Sequence, residues 1–266
     1  MSLEAARQTF PRGLAQPAGG FRFGADALLL ACFGAPLAGP RVLDLGTGCG
    51  PAGLGLLLAR RDRETLVIGL DKEPTMVEAA TENARRLGLS DQFSAHLQDL
   101  RTIREPSAIA PESFDLALAN PPYRHPDSGR RPEDRRRDAA RFETDGGLAA
   151  FAAAASFALT NKGQLACVYL AERLSHALSV FSVNNLEIKR ILPVTSRLDA
   201  PAKQVLLLAR KNGRPGLRLD TPLALYEGTG PETRLRDAAL RFCPFLGCNA
   251  GKQAFPTALP TPQEDG

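Results

Sequence analysis

Long apolar runs are missing from this 266-residue chain. No stretch approaches the ~18 residues that a membrane-spanning helix requires, and no charged-then-apolar leader opens it, so the reading is of a cytoplasmic protein with no membrane partner. Histidine is scarce, with only His96, His125 and His176. The cysteines, Cys32, Cys49, Cys167, Cys243 and Cys248, are odd in number and irregularly spaced, which argues against a disulfide framework and for a reducing compartment. No His/Cys set has zinc-ligand spacing, so no metal is expected. There is no internal repeat. With 44% hydrophobic and 23% charged residues and a net charge of +4, the chain has material for one large α/β domain and a short appendage. That mild basicity is compatible with a polyanionic partner without requiring one.

From residue 41 onward, short β-branched or leucine-rich runs alternate with helical patterns, the mark of a parallel sheet covered on both faces. Strands are expected at 42–45, 66–70, 93–97, 114–119, 165–170, 186–193 and 204–209. Helices are expected near 54–59, 74–87, 148–159 and 172–181, with Pro74 opening the second of these, Gly88 closing it, and residues 161–163 terminating the third. The fold class is therefore α/β, a doubly wound, seven-stranded, mostly parallel sheet. Residues 1–40 read as an entry segment, 41–212 as the main domain and 213–266 as a C-terminal extension, loosely ordered from residue 243 on.

Asp44-Leu45-Gly46-Thr47-Gly48-Cys49-Gly50 stands where the first strand must turn into the first helix. Its glycines permit a tight turn and close backbone approach to an adenosyl-type ligand. Read from Gly48, the stretch Gly48-Cys49-Gly50-Pro51-Ala52-Gly53 also satisfies the dinucleotide fingerprint, so a nicotinamide enzyme competes at this point. Asp71 ends the second strand, where such sheets place a carboxylate that accepts from ribose hydroxyls; the alternative is a helix cap ahead of Pro74. Asp99 follows the third strand, either as a partner for an adenine amino group or as a solvated turn.

Asn120-Pro121-Pro122-Tyr123 follows the fourth strand. This turn gathers a side-chain amide oxygen, a backbone carbonyl and an aromatic face around a volume suited to a planar amino group. Pro121 and Pro122 fix φ and remove backbone donors, while Tyr123 offers a stacking face. The bland reading is a proline-stiffened loop.

Together these motifs resemble those of class I S-adenosylmethionine-dependent methyltransferases, whose Rossmann-like sheet is doubly wound and seven-stranded. The resemblance implies S-adenosyl-L-methionine as cofactor, held by Asp44, Gly46, Gly48 and Gly50, with Asp71 on the ribose and Asp99 on the adenine. It implies that Asn120, Pro121, Pro122 and Tyr123 act on an exocyclic amine, whose lone pair is delocalised and must be localised before attack. If Asn120 Oδ1 and the Pro121 carbonyl each accept one N–H, the nitrogen can pyramidalise and aim at the methyl group.

Residues 124–141 hold seven arginines against four acids. The run is either a solvated loop or a basic flap that clasps phosphates as an extruded nucleotide enters, with Arg130, Arg131, Arg135, Arg136 and Arg137 as its candidate substrate-binding residues. Arg197, Lys203, Arg210, Lys211, Arg214 and Arg218 would extend that basic surface. The segment from Gly20 to Leu30, the Asn-Pro-Pro-Tyr turn, Arg141-Phe142-Glu143 and Pro222-Leu223-Ala224-Leu225-Tyr226-Glu227 are similar to the bacterial valine-tRNA adenine-N6 methyltransferases. That resemblance implies tRNA as the nucleic-acid partner and the entry segment near the cofactor, with Phe23 and Asp26 lining it; Asp26 as a helix cap is the alternative. The competing readings are a protein glutamine N5 methyltransferase, a DNA or ribosomal RNA amino-methyltransferase, a non-catalytic RNA-binding relative and a nicotinamide oxidoreductase.

Overall fold

The computed structural model describes residues 2–17, 23–60, 64–105, 109–122 and 147–248. In chain order the helices are α1 (Leu3–Thr9), α2 (Ala25–Gly34), α3 (Pro51–Ala59), α4 (Pro74–Leu87), α5 (Gly147–Ala158), α6 (Leu174–Val183) and α7 (Asp237–Phe242). The strands are β1 (Arg41–Leu45), β2 (Leu66–Asp71), β3 (Phe93–Leu97), β4 (Phe114–Ala119), β5 (Leu159–Leu170), β6 (Leu186–Thr195), β7 (Ala202–Lys211), β8 (Arg218–Leu219), β9 (Leu223–Ala224), β10 (Tyr226–Glu227) and β11 (Arg234–Leu235).

The main strands lie in the order β3-β2-β1-β4-β5-β7-β6. All pairs from β3 to β5 are parallel, and β7 runs antiparallel to both β5 and β6. The reversal follows from connection length: the short link 196–201 can join only antiparallel neighbours, whereas parallel strands need a crossover such as α6. The doubly wound sheet is thus as expected, except that β8 and β9 add short rungs beyond β6 and bring it to nine strands. β5 starts earlier than expected, because residues 160–163 bulge from the ladder between the Phe114–Leu159 and Leu116–Gln164 pairs instead of only ending α5.

Strand alternation divides the core into two layers. Val42, Leu116, Leu118, Ala166 and Val168 face the side covered by α2, α3 and α4. Leu43, Leu45, Ala117, Ala119, Leu165 and Cys167 face α5 and α6. Apart from Asp26, α2 is apolar all round, with most of its residues buried, which suits a helix enclosed between the sheet and its neighbours.

One expectation is overturned at the C-terminus. Residues 243–248 are not loose: Cys243, Phe245, Leu246 and Cys248 are buried, Phe245 meets Phe10 edge-on at 5.0 Å between ring centroids, and Arg12 donates to the Cys248 carbonyl at 2.6 Å. The aromatic and leucine side chains outweigh the surrounding proline and glycine, because α1 supplies them with an apolar partner. Phe245→Ala is expected to destabilise the protein by about 3–5 kcal/mol, the usual range for a core aromatic truncated to alanine, as measured by urea titration.

Candidate active site

The register of the sheet brings the chemistry together. Leu45 of β1 lies opposite Ala119 of β4 and Leu70 of β2, so the next residues, Gly46, Asn120 and Asp71, emerge side by side on neighbouring strands ~4.8 Å apart. The order of the sheet reverses between β1 and β4, and in open α/β sheets the crevice at such a switch point, beyond the carboxyl ends of the strands, is where ligands bind.

The glycine loop is braced from below. Asp44 points to the α3 side, 2% exposed, and its Oδ2 accepts from Thr47 Oγ1 at 2.7 Å and from Gly53 N at 3.0 Å. Asp71 accepts from Gly48 N at 2.8 Å through Oδ2 and from Glu73 N at 3.0 Å through Oδ1. Gly46, Gly48 and Gly50 all have positive φ, which L side chains rarely adopt. They differ in what surrounds them. A Cβ on Gly46 would lie 2.8 Å from Phe151, whereas one on Gly48 would meet nothing within 4 Å. The open side of the loop is therefore at Gly48, next to Asp71.

Thr47 and Asn83 carried no signal in the sequence and prove structural here. Thr47 orients Asp44, while the fully buried Asn83 accepts from Ala15 N and donates to the carbonyls of Ala15 and Cys49. It ties the N-terminal segment and the glycine loop to α4. Only the proximity of all three in the fold could have identified it. Phe23 packs against Cys49, Met76 and Ala79 and so borders the loop. Burial raises the Cys49 thiol to about 11, which keeps it protonated and unreactive at neutral pH.

Asn120 continues the alternation of Leu116 and Leu118 and so leans toward α2. There its Nδ2 donates to Asp26 Oδ2 at 3.1 Å. Asp26 is 7% exposed, and a Cβ on Gly24 would lie 2.7 Å from its Oδ1, so glycine at 24 leaves room for the carboxylate. Pro121 is buried and Pro122 exposed. Asp99 stands beyond β3, capping the backbone N–H of Arg101 and paired with the guanidinium of Arg101 at 2.6 Å. That ion pair holds its carboxyl below the usual range. Tyr123, Arg130, Arg131, Arg135, Arg136 and Arg137, with residues 20–22 and 141–143, lie outside the described residues.

The six further cations do not form one surface. Arg197 and Lys203 flank the β6–β7 turn, at the same end of the sheet as Asn120. Arg210 and Lys211 end β7 at the opposite edge, because β7 runs backwards. Lys211 is buried, bonded to Glu112 and to the Leu159 carbonyl, and Arg218 sits midway along β6. The sequence showed their charge but not the strand direction.

The methyltransferase-domain family matches residues 37–192, more than half of the chain. The chain belongs to the S-adenosylmethionine-dependent methyltransferases. The tRNA1(Val) (adenine(37)-N6)-methyltransferase of Mannheimia succiniciproducens is 32% identical over 145 residues, 54% of this chain and 57% of that relative. The chain thus spans less than two thirds of its length. The protein of the same name from Porphyromonas gingivalis ATCC 33277 is 30% identical over 189 residues, 70% of this chain and 72% of its own. Among solved structures, a predicted O-methyltransferase of Agrobacterium tumefaciens superposes with a TM-score of 0.66 at 20% identity, covering 83% of this chain and 96% of its own; that likeness concerns the fold.

S-adenosyl-L-methionine is the cofactor, and the residues present fit it. The cradle at Gly48 is open, and Asp71 beside it is a carboxylate that can accept from a hydroxyl in addition to its backbone bonds. Burial holds the Asp44 carboxyl up at about 6 and raises Asp71 as well, so both acids gain from a cation nearby, and the cofactor carries two positive centres.

The Asp44 shift has a measurable consequence. The native state keeps this proton up to about pH 6, whereas the unfolded chain releases it near 3.8. Between those values the native state binds more protons, so stability falls as pH rises, by about 3 kcal/mol for a two-unit shift. Asp44→Asn is nearly isosteric and keeps an acceptor for Thr47 and Gly53. Urea titrations of both proteins at about pH 4 and about pH 7 are expected to show the variant gaining on the native protein as pH rises.

Proposed function

We propose that this protein transfers the methyl group of S-adenosyl-L-methionine to the exocyclic N6 of an adenine in tRNA. The observation that carries the reading is the hydrogen bond from Asn120 Nδ2 to Asp26. An ionised carboxylate only accepts, so the amide must turn its nitrogen to Asp26, and planarity then directs Oδ1 away from α2. A substrate amine can donate one N–H to that oxygen and the other to the Pro121 carbonyl.

Two accepting dipoles at fixed positions stabilise positive charge where it develops, on the attacking nitrogen. When bound, the cofactor supplies an activated methyl on a sulfonium. No strong base is required, because the alkylated ammonium is acidic and loses its proton to water. In this reading residues 41–212 form the methyltransferase domain, with 1–40 as entry segment and 213–266 as extension. Gly46, Gly48, Gly50 and Asp44 shape the cofactor loop, Asp71 takes the ribose and Asp99 the adenine edge, and Phe23 borders the site. Tyr123 stacks the base, and Arg130, Arg131, Arg135, Arg136 and Arg137 hold RNA phosphates.

The adenine and tRNA assignments draw on the names of the relatives from Mannheimia and Porphyromonas. The test is transfer of labelled methyl from S-adenosyl-L-methionine into separate tRNA, ribosomal RNA, DNA and protein fractions, with nucleoside analysis of the product. N6-methyladenosine in tRNA is the expected result. Label confined to protein, as methylated glutamine, would replace this substrate with the side-chain amide, and no incorporation anywhere would remove the enzymatic reading.

A further inference from the structure

We propose that Asp26 is a positioning residue for methyl transfer: it sets which way the Asn120 amide faces and polarises it, so that Oδ1 is presented to the substrate amine. This rests on the reading of Asn120 given above and adds a residue from outside the strand-turn motif.

A carboxylate at the start of α2 has an ordinary explanation, since acids in a helix's first turn complement its dipole. Three features go beyond it. An acid can serve the dipole from the surface without being desolvated, yet Asp26 is 7% exposed, and burial penalises its charge unless donors compensate. Its Oδ2 receives the Asn120 amide across 94 positions of chain, at 3.1 Å. Gly24 makes the space, since any side chain there would approach Oδ1 to 2.7 Å.

The chemical consequence concerns the two rotamers of an amide. Turned by 180°, Asn120 would present NH2 to the incoming amine, two donors facing each other, and neither N–H of the substrate would be held. Asp26 excludes that state, because Oδ1 against a carboxylate would set two acceptors in contact. The bond also pulls density toward Oδ1 and strengthens it as an acceptor. As the N–C bond forms and the C–S bond breaks, the C–S pair returns to sulfur and positive charge appears on nitrogen. That charge is met by Oδ1 with a carboxylate behind it, and the proton then leaves to water. Asp26 touches Asn120, not the substrate.

The experiment compares Asp26→Ala, Asp26→Asn, Asn120→Asp and the double variant Asp26→Asn/Asn120→Asp, in full-length protein, with labelled-methyl transfer to an unmodified tRNA fraction. Asp26→Ala is expected to lower kcat about 100-fold, with KM for tRNA and for S-adenosyl-L-methionine within about threefold. Asp26→Asn keeps the helix-start polarity and one acceptor, and loses about tenfold. Asn120→Asp sets two carboxylates together and is nearly inactive. The double variant restores a donor facing an acceptor with polarity reversed, and is expected to exceed Asn120→Asp by about tenfold or more.

A purely structural Asp26 would give additive losses in the double variant and a kcat for Asp26→Ala like that of the parent; either result overturns the proposal. A second readout needs no turnover. In 15N–1H spectra the Asn120 side-chain NH2, assigned by its disappearance in Asn120→Asp, is expected to shift and to exchange faster in Asp26→Asn. An unmoved signal also overturns the proposal. If the parent protein methylates no fraction, the reading of the site fails, and the spectra alone decide whether Asp26 orients the amide.

Discussion

Asn120→Ala is expected to lower methyl-transfer turnover about a thousandfold or more, while affinity for S-adenosyl-L-homocysteine changes by less than about threefold. The asymmetry follows from position. Asn120 follows β4, beside the glycine loop but not in it, and its side-chain hydrogen bond runs to Asp26 on α2, away from Asp44 and Asp71. In the function proposed above, removing the amide takes away one of two acceptors for the amine and, with it, the geometry that aims the lone pair. A single carbonyl on Pro121 can hold one N–H but leaves the nitrogen free to rotate about that bond. Losing one preorganised dipole costs 10²–10³-fold where this has been measured in other enzymes, and lost alignment adds to it. Calorimetric titration with S-adenosyl-L-homocysteine and single-turnover transfer measure the two quantities separately. Equal losses in both would mean that Asn120 organises the cofactor site, and the role assigned to it would fall.

The same geometry explains which parts of this molecule were readable from its residues. The glycine loop, Asp71 and the Asn-Pro-Pro turn each mark a strand end by local composition, and a parallel sheet necessarily aligns such ends, so the site could be assembled once the strands were placed. Asp26 was legible as a residue near the site, lining the cofactor or capping a helix, but its partner is 94 positions away and no spacing rule links them. Asn83 was invisible for the same reason. The contact of Phe10 with Phe245 joins segments 235 positions apart, and without it the proline and glycine around residues 243–248 point to disorder. Arg210 and Lys211 were misplaced because charge was counted along the sequence, whereas an antiparallel β7 carries its last residues to the far edge of the sheet.

The second large effect is expected at Asp71. Asp71→Ala should weaken binding of S-adenosyl-L-homocysteine by about 100-fold or more, since hydrogen bonds to an ionised group contribute about 1.5–3 kcal/mol each and a ribose offers two hydroxyls. Part of the loss arises within the protein. The Gly48 N–H donates to Asp71 Oδ2 and the Glu73 N–H to Oδ1, so alanine takes the acceptor from both loop donors and loosens Gly48, which stands at positive φ. Asp71→Asn separates the two contributions. Its amide oxygen can keep the Gly48 N–H, while its nitrogen offers only donors and gives up the Glu73 N–H, so the brace on Gly48 stays and one hydroxyl contact is lost, for an intermediate loss of about tenfold. Turnover at saturating cofactor should remain close to that of the parent in Asp71→Asn, because the turn after β4 that is proposed to hold the amine is untouched. If Asp71→Ala binds as tightly as the parent, Asp71 is only a brace for the loop, and the carboxylate that recognises the ribose must be sought elsewhere along the carboxyl edge of the sheet.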